Sequence, residues 1–385
     1  MIRRVRPAAV SQSNQLQQEN INVKKLTLAA LIAGSFAVTA HAQSNVTIYG
    51  IVDAGIVRET GGAAGSVTKV TSGIGSQSRL GFRGTEDLGN GLSAIFTLES
   101  GYKLDDGTVD STGTLFNRQA FVGLSSKTLG TLTLGRQYNP LYNALSKIAD
   151  PFGAGYAGSA KNLFPAGGVN TRVSNAIVYT TPKWSGFYVE GMYALGEQSG
   201  DNTAGRLFSV GFNYTQGPLN ASLVYNNRNN DVAATGTTPA ANRDDGKNTL
   251  LAVNYDFKVV KVFAAFERDK GLNSSPIPVT NAFGYAVAPR ASLEADDALL
   301  GVQVPVGDTG GTVIASWMNK NDKTANNQDA RQWAVGYTQA LSKRTSAYIA
   351  YAKIDNKNGA GYTVGNNNEV GSGDTGFNLG IRHTF

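Results

Sequence analysis

The sequence contains no cysteine and, across 385 residues, only two histidines. The first absence excludes disulfide frameworks and thiolate metal sites; the second leaves little for imidazole acid–base chemistry. Charged residues are scarce at 16%, yet the mean hydropathy of -0.20 is too polar for a bundle of membrane helices. After Ala42 no window approaches the roughly eighteen apolar residues that a membrane-crossing helix needs. A strong basic excess is missing as well. Of the formal charge of +6, Arg3, Arg4, Arg6, Lys24 and Lys25 against Glu19 place +4 in residues 1–42, leaving +2 for the rest. No basic cluster interleaved with aromatics follows, so a nucleic-acid partner is not expected.

What is abundant is glycine, at 46 residues, with 16 tyrosines and 16 phenylalanines. This composition suits short strands, tight turns and aromatic girdles. At the front, Lys24 and Lys25 precede an apolar run from Leu26 to Val38 and then Thr39-Ala40-His41-Ala42, the charged, apolar, small-residue order of a secretory leader. Residues 23–42 are read as that signal peptide, cleaved between Ala42 and Gln43. A polar, Gln-rich stretch ahead of the lysines makes residues 1–22 an over-extended N-terminus, and residues 43–385 the mature domain.

Beyond Ala42 the pattern has a period of two. Phe377, Leu379, Ile381 and Phe385 alternate with Asn378, Gly380, Arg382 and Thr384; Val46-Ile48-Gly50-Val52 interleave with Thr47-Tyr49-Ile51-Asp53. Such a strand buries one face only. Tight turns at Gly89-Asn90-Gly91, Lys127–Gly130, Trp184-Ser185-Gly186, Gln216-Gly217-Pro218, Phe257-Lys258, Gly307–Gly310 and Leu341-Ser342-Lys343 alternate with longer polar stretches. These include 57–75, 103–116, 138–171, 227–246, 269–295 and 354–373. Seven short and eight long connections define sixteen strands with both ends of the domain on the short-turn side. The fold class is therefore all-β: a sixteen-stranded antiparallel transmembrane β-barrel, apolar toward lipid and polar toward a lumen.

Several stretches, laid on these strands, resemble the trimeric general porins of Gram-negative outer membranes, of the β-proteobacterial type. They are Asn45-Val46-Thr47-Ile48-Tyr49-Gly50, Ser78 through Gly89, Asn117 through Leu124, Gly135-Arg136-Gln137-Tyr138 and Ile381-Arg382-His383-Thr384-Phe385. The resemblance spans the mature chain. It implies a passive diffusion channel for small hydrophilic solutes and ions, in contact with outer-membrane lipid and assembled as a homotrimer. A terminal aromatic, here Phe385, resembles the signal by which outer-membrane assembly machinery recognises such barrels.

Candidate site residues are basic. Arg79 and Arg83 share parity with Gly81 and oppose Leu80 and Phe82, so both are expected in the lumen; Arg172 shares parity with Ser174 and Thr180, opposite Val173, Ile177 and Tyr179. An arginine facing mid-bilayer lipid costs about 2–4 kcal/mol, which favours the same placement. Alternation leaves Arg118 open, since Ala120, Val122 and Leu124 share its parity while Phe121 takes the other face. The resemblance implies that it turns inward to a basic constriction cluster. Arg136 is undecided.

The connection 138–171 is long enough to need a purpose, and Leu141, Leu145 and Ile148 recur at helical spacing after Pro140. Apolar residues on a loop need a surface, and the barrel wall supplies one. The resemblance implies that this loop folds into the lumen as a constriction loop and sets acidic groups opposite the arginines. Asp150 matches the acidic motif, with Asp53 and Glu99 as lumenal alternatives.

An enzyme is not expected: His41 leaves with the leader, and His383 shares the lipid-facing parity of Phe385. No cofactor or metal is expected, although loop carboxylates could hold calcium. The functional reading is an outer-membrane channel with mild anion preference. A solute-specific channel of the same fold and a surface adhesion or structural barrel are the alternatives; an aromatic track for sugars does not assemble from Tyr49 and Tyr188.

Overall fold

The computed structural model describes residues 45–63, 65–167, 170–236, 239–272, 293–365 and 373–385. The leader, its cleavage point and the proposed over-extension lie outside them, as does most of 269–295. Seventeen strands form one sheet: β1 (Asn45–Gly62), β2 (Gly65–Ser72), β3 (Arg79–Gly89), β4 (Leu92–Gly101), β5 (Gln119–Ser126), β6 (Gly130–Tyr138), β7 (Arg172–Thr180), β8 (Phe187–Ala194), β9 (Leu207–Gln216), β10 (Leu219–Arg228), β11 (Gly246–Asp256), β12 (Lys261–Lys270), β13 (Glu294–Val306), β14 (Gly311–Asp322), β15 (Ala330–Ala340), β16 (Thr345–Asn356) and β17 (Thr375–Thr384). Apart from β2 and β3, which both pair with β1, each pairs antiparallel with its sequence neighbour, and β17 returns to β1 from Ile51↔Thr384 to Thr60↔Thr375. Closure removes every free edge, the condition for a sheet in lipid.

β2 and β3 together make one stave. β1 pairs with β3 over Asn45–Ile51 and with β2 beyond Ala54, so the barrel has sixteen staves with a bend at residues 73–78. The expected loop over 57–75 is corrected here. β1 runs on to Gly62 and turns directly into β2, and the irregular segment moves down to the bend. The short turns stand where the glycine and asparagine signals put them; Asn90 (φ 53) and Gly91 (φ 76) supply the two left-handed residues of a tight hairpin.

Burial follows the period of two. Val46, Ile48, Leu251, Leu379 and Ile381 are exposed on the outer wall, as lipid-facing residues are. The hydrophobic core lies inside the barrel, where segment 139–171 packs against the inner wall. Leu141, Leu145, Leu163 and Phe164 are fully buried there, against wall residues that include Leu250, Ala252, Leu299 and Met318. Burial of each large side chain is worth about 2 kcal/mol, so the segment has a substantial reason to stay inside. The same contact explains strands such as β11 that are apolar on both faces.

Candidate functional site

The inserted segment starts at Asn139, whose Oδ1 accepts from the Leu141 amide (3.0 Å), with Pro140 at the first helical position of α1 (Pro140–Ala144). Amides on the wall then fasten its backbone. Asn254 Nδ2 donates to the Ile148 carbonyl (2.9 Å), Gln303 Nε2 to Pro151 (2.6 Å) and Gln332 Nε2 to Gly158 (3.1 Å). The far end meets the bend in the second stave: the Tyr156 amide donates to the Ile74 carbonyl at 2.6 Å. A Cβ on Gly155 would lie 2.2 Å from the Gly75 oxygen, so only glycine permits this approach.

The bend is held from β1. Asp53 Oδ2 accepts from the amides of Gly75 (3.0 Å) and Ser76 (2.8 Å), and its Oδ1 accepts from the Tyr348 hydroxyl (2.6 Å). Gln77 is thereby presented to three arginines. Arg79 Nε donates to the Gln77 carbonyl (3.1 Å) and its Nη2 to Ser76 Oγ. Arg118 Nη1 and Arg172 Nη2 both donate to Gln77 Oε1, the latter at 2.9 Å. The guanidiniums of Arg118 and Arg172 also stand over the Tyr138 ring, 5.9 and 5.1 Å from its centroid. Tyr138 in turn stacks on Tyr142 of the inserted segment at 5.1 Å.

The counter-charge is small. Glu99 Oε1 pairs with Arg118 Nε at 2.7 Å and reaches Arg79 at 3.9 Å, while its Oε2 accepts from the Tyr49 hydroxyl (2.9 Å). Between wall and segment lies a cavity of about 320 Å³, lined by Arg79, Arg118, Arg172 and Lys161 with Asp110 from the β4–β5 connection. Burial, and then the neighbouring Arg172 guanidinium, lowers the Lys161 ammonium to about 7.

The structure thus brings together Arg79, Arg118 and Arg172, and does not bring Arg83 or Asp150 to them. Arg118 escapes the alternation because it precedes the first ladder residue of β5, Gln119. For Arg172 the parity argument fails in detail. A bulge at Asn175 (φ 57) means that residues before and after it do not share faces, and Val173 and Ala176 are both buried. Arg83 sits apart, over the Tyr49 ring at 5.1 Å and facing a different cavity with Thr47, Thr97 and Phe121.

Asp150 is corrected more sharply. Only 3% exposed, it turns into its own loop and accepts from the amides of Phe152 (2.9 Å), Ala154 (2.8 Å) and Ala160 (2.9 Å); burial pushes its carboxyl up to about 6 against their pull. It shapes the segment and does not face the arginines. Arg136 bonds the Asn117 carbonyl (2.7 Å) and Ser174 Oγ (2.9 Å) and lines a separate cavity with Arg172 and Arg228. Sequence reasoning missed Gln77 and Lys161. Lysines of the loop were there to be counted; Gln77 carried no signal, since the bend that presents it interrupts the alternation.

Comparison with known proteins adds independent findings. The family model described as Gram-negative porin matches residues 27–359. An outer membrane porin protein of Bordetella pertussis is 35% identical, covering 94% of this chain and 100% of the relative. Outer membrane porin protein 32 of Delftia acidovorans is 32% identical, covering 94% and 99%. Among solved structures, an anion-selective porin from Comamonas acidovorans superposes with a TM-score of 0.71 at 31% identity, covering 89% of this chain and 100% of that one.

Proposed function

The chain belongs to the Gram-negative porin family and is an outer-membrane porin, and from that premise we propose that it passes small hydrophilic solutes by diffusion and favours anions where segment 139–171 narrows the lumen. The observation that carries this reading is the charge at the cavity. Arg79, Arg118, Arg172 and, below about pH 7, the Lys161 ammonium meet Glu99 and Asp110, an excess of up to two positive charges, with Asp150 bonded into its own loop near Lys161. A unit charge about 10 Å from an ion in water contributes about 0.4 kcal/mol, so two give about 0.8 kcal/mol, roughly a fourfold bias. The solved Comamonas relative is itself an anion-selective porin.

Further parts of the reading rest on the family and the sequence. Residues 23–42 are a cleaved leader, residues 1–22 an over-extension ahead of it, and residues 43–385 the barrel. The barrel assembles as a homotrimer in lipid, with Phe385 as the mark read by the assembly machinery. Phe385 closes the wall on β1, exchanging two backbone bonds of 3.1 Å with Gly50. A catalytic role is not part of this reading: the relatives are porins, and His383 contacts only the Thr345 hydroxyl, at 2.9 Å, among the hydrogen-bond partners of the described residues. The test is the zero-current potential across a planar bilayer in a potassium chloride gradient. Anion preference near 0.1 M that fades near 1 M supports the reading, because the Debye length falls from about 10 Å to about 3 Å. Cation preference at low salt overturns it.

A further inference from the structure

We propose that Gln77 is the specificity-determining residue of this pore, a neutral acceptor that occupies the oxyanion position among the arginines and is exchanged for each passing anion. The proposal rests on the anion-favouring reading above and says how that preference coexists with rapid passage.

Two guanidiniums that converge on one oxygen form the arrangement normally answered by a carboxylate or another oxyanion. Here the oxygen is Gln77 Oε1, which takes Arg118 Nη1 and Arg172 Nη2 together and so uses both of its lone pairs. Arg79 fastens to the same residue through its backbone carbonyl. Gln77 is 6% exposed, and the bend beneath it is fixed by Asp53 and by the Tyr156 amide. The backbone beneath it is therefore held in place, and only rotation within the side chain moves the oxygen off the fork and back.

An amide in this position does three things that neither a carboxylate nor an apolar residue would do together. It holds mutually repelling guanidiniums in fixed directions without cancelling their charge. It gives each a bond weaker than a carboxylate would, since an ionised acceptor roughly doubles the strength. It also leaves Arg172 Nε–H buried and without a partner, a donor at hand for an arriving anion. Conduction requires binding strong enough to admit an ion and weak enough to release it. An oxygen of the anion replaces the amide oxygen at the fork, and the amide oxygen displaces it in turn.

The experiment compares three variants with the parent in planar bilayers, reading zero-current potential near 0.1 M salt and single-channel conductance against salt concentration. Measured near pH 6, where Lys161 carries its charge, Gln77→Glu and Lys161→Met lower the charge at the cavity equally, by one. Gln77→Glu should nevertheless shift the potential further, because its carboxylate occupies the fork itself. Gln77→Leu leaves the charge unchanged, so the sign of the potential should hold. Its conductance should saturate at about tenfold lower salt, since the anion no longer competes with an acceptor worth about one charge-assisted bond. Gln77→Asn, which keeps the amide but shortens its reach, should fall between parent and Gln77→Leu, and serves in place of Gln77→Leu where that variant fails to assemble. Equal shifts for Gln77→Glu and Lys161→Met, or parent-like saturation in both uncharged variants, overturn the proposal while leaving anion preference standing. A parent without anion preference removes the reading on which it rests.

Discussion

Two groups of charged side chains on the inner wall invite comparison. Around Gln77, three arginines and Lys161 border a cavity, with Glu99 and Asp110 as the nearby acids. On β12 to β14, Glu267, Asp269, Asp297 and Lys320 are wholly buried. Lys320 Nζ donates to both oxygens of Asp297 (2.9 and 2.8 Å) and stands 3.6 Å from Asp269. From Asp269 a line of amides runs back to the inserted segment: Asn248 donates to Asp269 (2.7 Å), Asn226 to Asn248 (3.1 Å) and Asn139 to Asn226 (2.9 Å). The same kinds of group thus serve two ends. The group on β12 to β14 fastens staves and the root of the segment to one another, while the group around Gln77, although Arg118 and Glu99 within it are also buried, lines a cavity and acts on whatever passes.

The sharpest way to break this comparison is to remove the buried cation. Lys320→Met leaves Asp269 and Asp297 buried without their partner and should cost about 3–5 kcal/mol, read as a lower unfolding temperature of the assembled barrel. Arg172→Gln, by contrast, removes a bond to a neutral acceptor and should cost about 1 kcal/mol while changing selectivity. Comparable losses for both would mean that the two groups are not different in kind.

Asp150 lies between these extremes. Asp150→Asn keeps an acceptor but weakens three bonds that had an ionised partner, an expected loss of about 1–3 kcal/mol. Because its carboxylate reaches the cavity only through its attraction for Lys161, the zero-current potential should move little near pH 6, where Lys161 is charged in either case, while current noise from a loosened segment rises. A clear shift of potential would return Asp150 to the constriction.

The smallest effect expected is on pH. With its ammonium lowered to about 7, Lys161 is charged below that value and neutral above it. Anion preference should therefore be greater at pH 6 than at pH 8, and Lys161→Met should flatten the difference. Titration curves of zero-current potential check this; a preference that grows with rising pH contradicts the sign.

The barrel was legible because each of its rules leaves a mark every second residue: Leu379 and Ile381 outward, Asn378 inward, Asn90-Gly91 at a turn. The site was legible only in part. Arg79 obeys alternation inside β3, but Arg118 lies before a strand and the Arg172 strand is interrupted by a bulge at Asn175, so parity had no authority over either. Most of the first polar stretch, 57–75, became strand because β1 continues between β17 and β2, with β17 pairing it as far as Thr60 and β2 as far as Gly62. Asp150 was misplaced for a different reason. A carboxylate followed by Pro151, Phe152 and Gly153 is as well suited to accepting its own loop's amides as to facing water, and the composition of the segment does not distinguish the two. Glu99 and Asp53 had lumenal parity, yet only the three-dimensional arrangement makes one the arginines' counter-ion and the other the support of the bend that carries Gln77.

The central claim, that the converging arginines set the pore's preference, is tested most directly by replacing Arg79, Arg118 and Arg172 together with glutamine and measuring the zero-current potential near 0.1 M salt. Loss of three charges at about 10 Å amounts to about 1.2 kcal/mol before screening, so the potential should cross from anion toward cation preference, and the change should shrink near 1 M. A triple variant that assembles normally and keeps the parent's potential near 0.1 M would contradict the account.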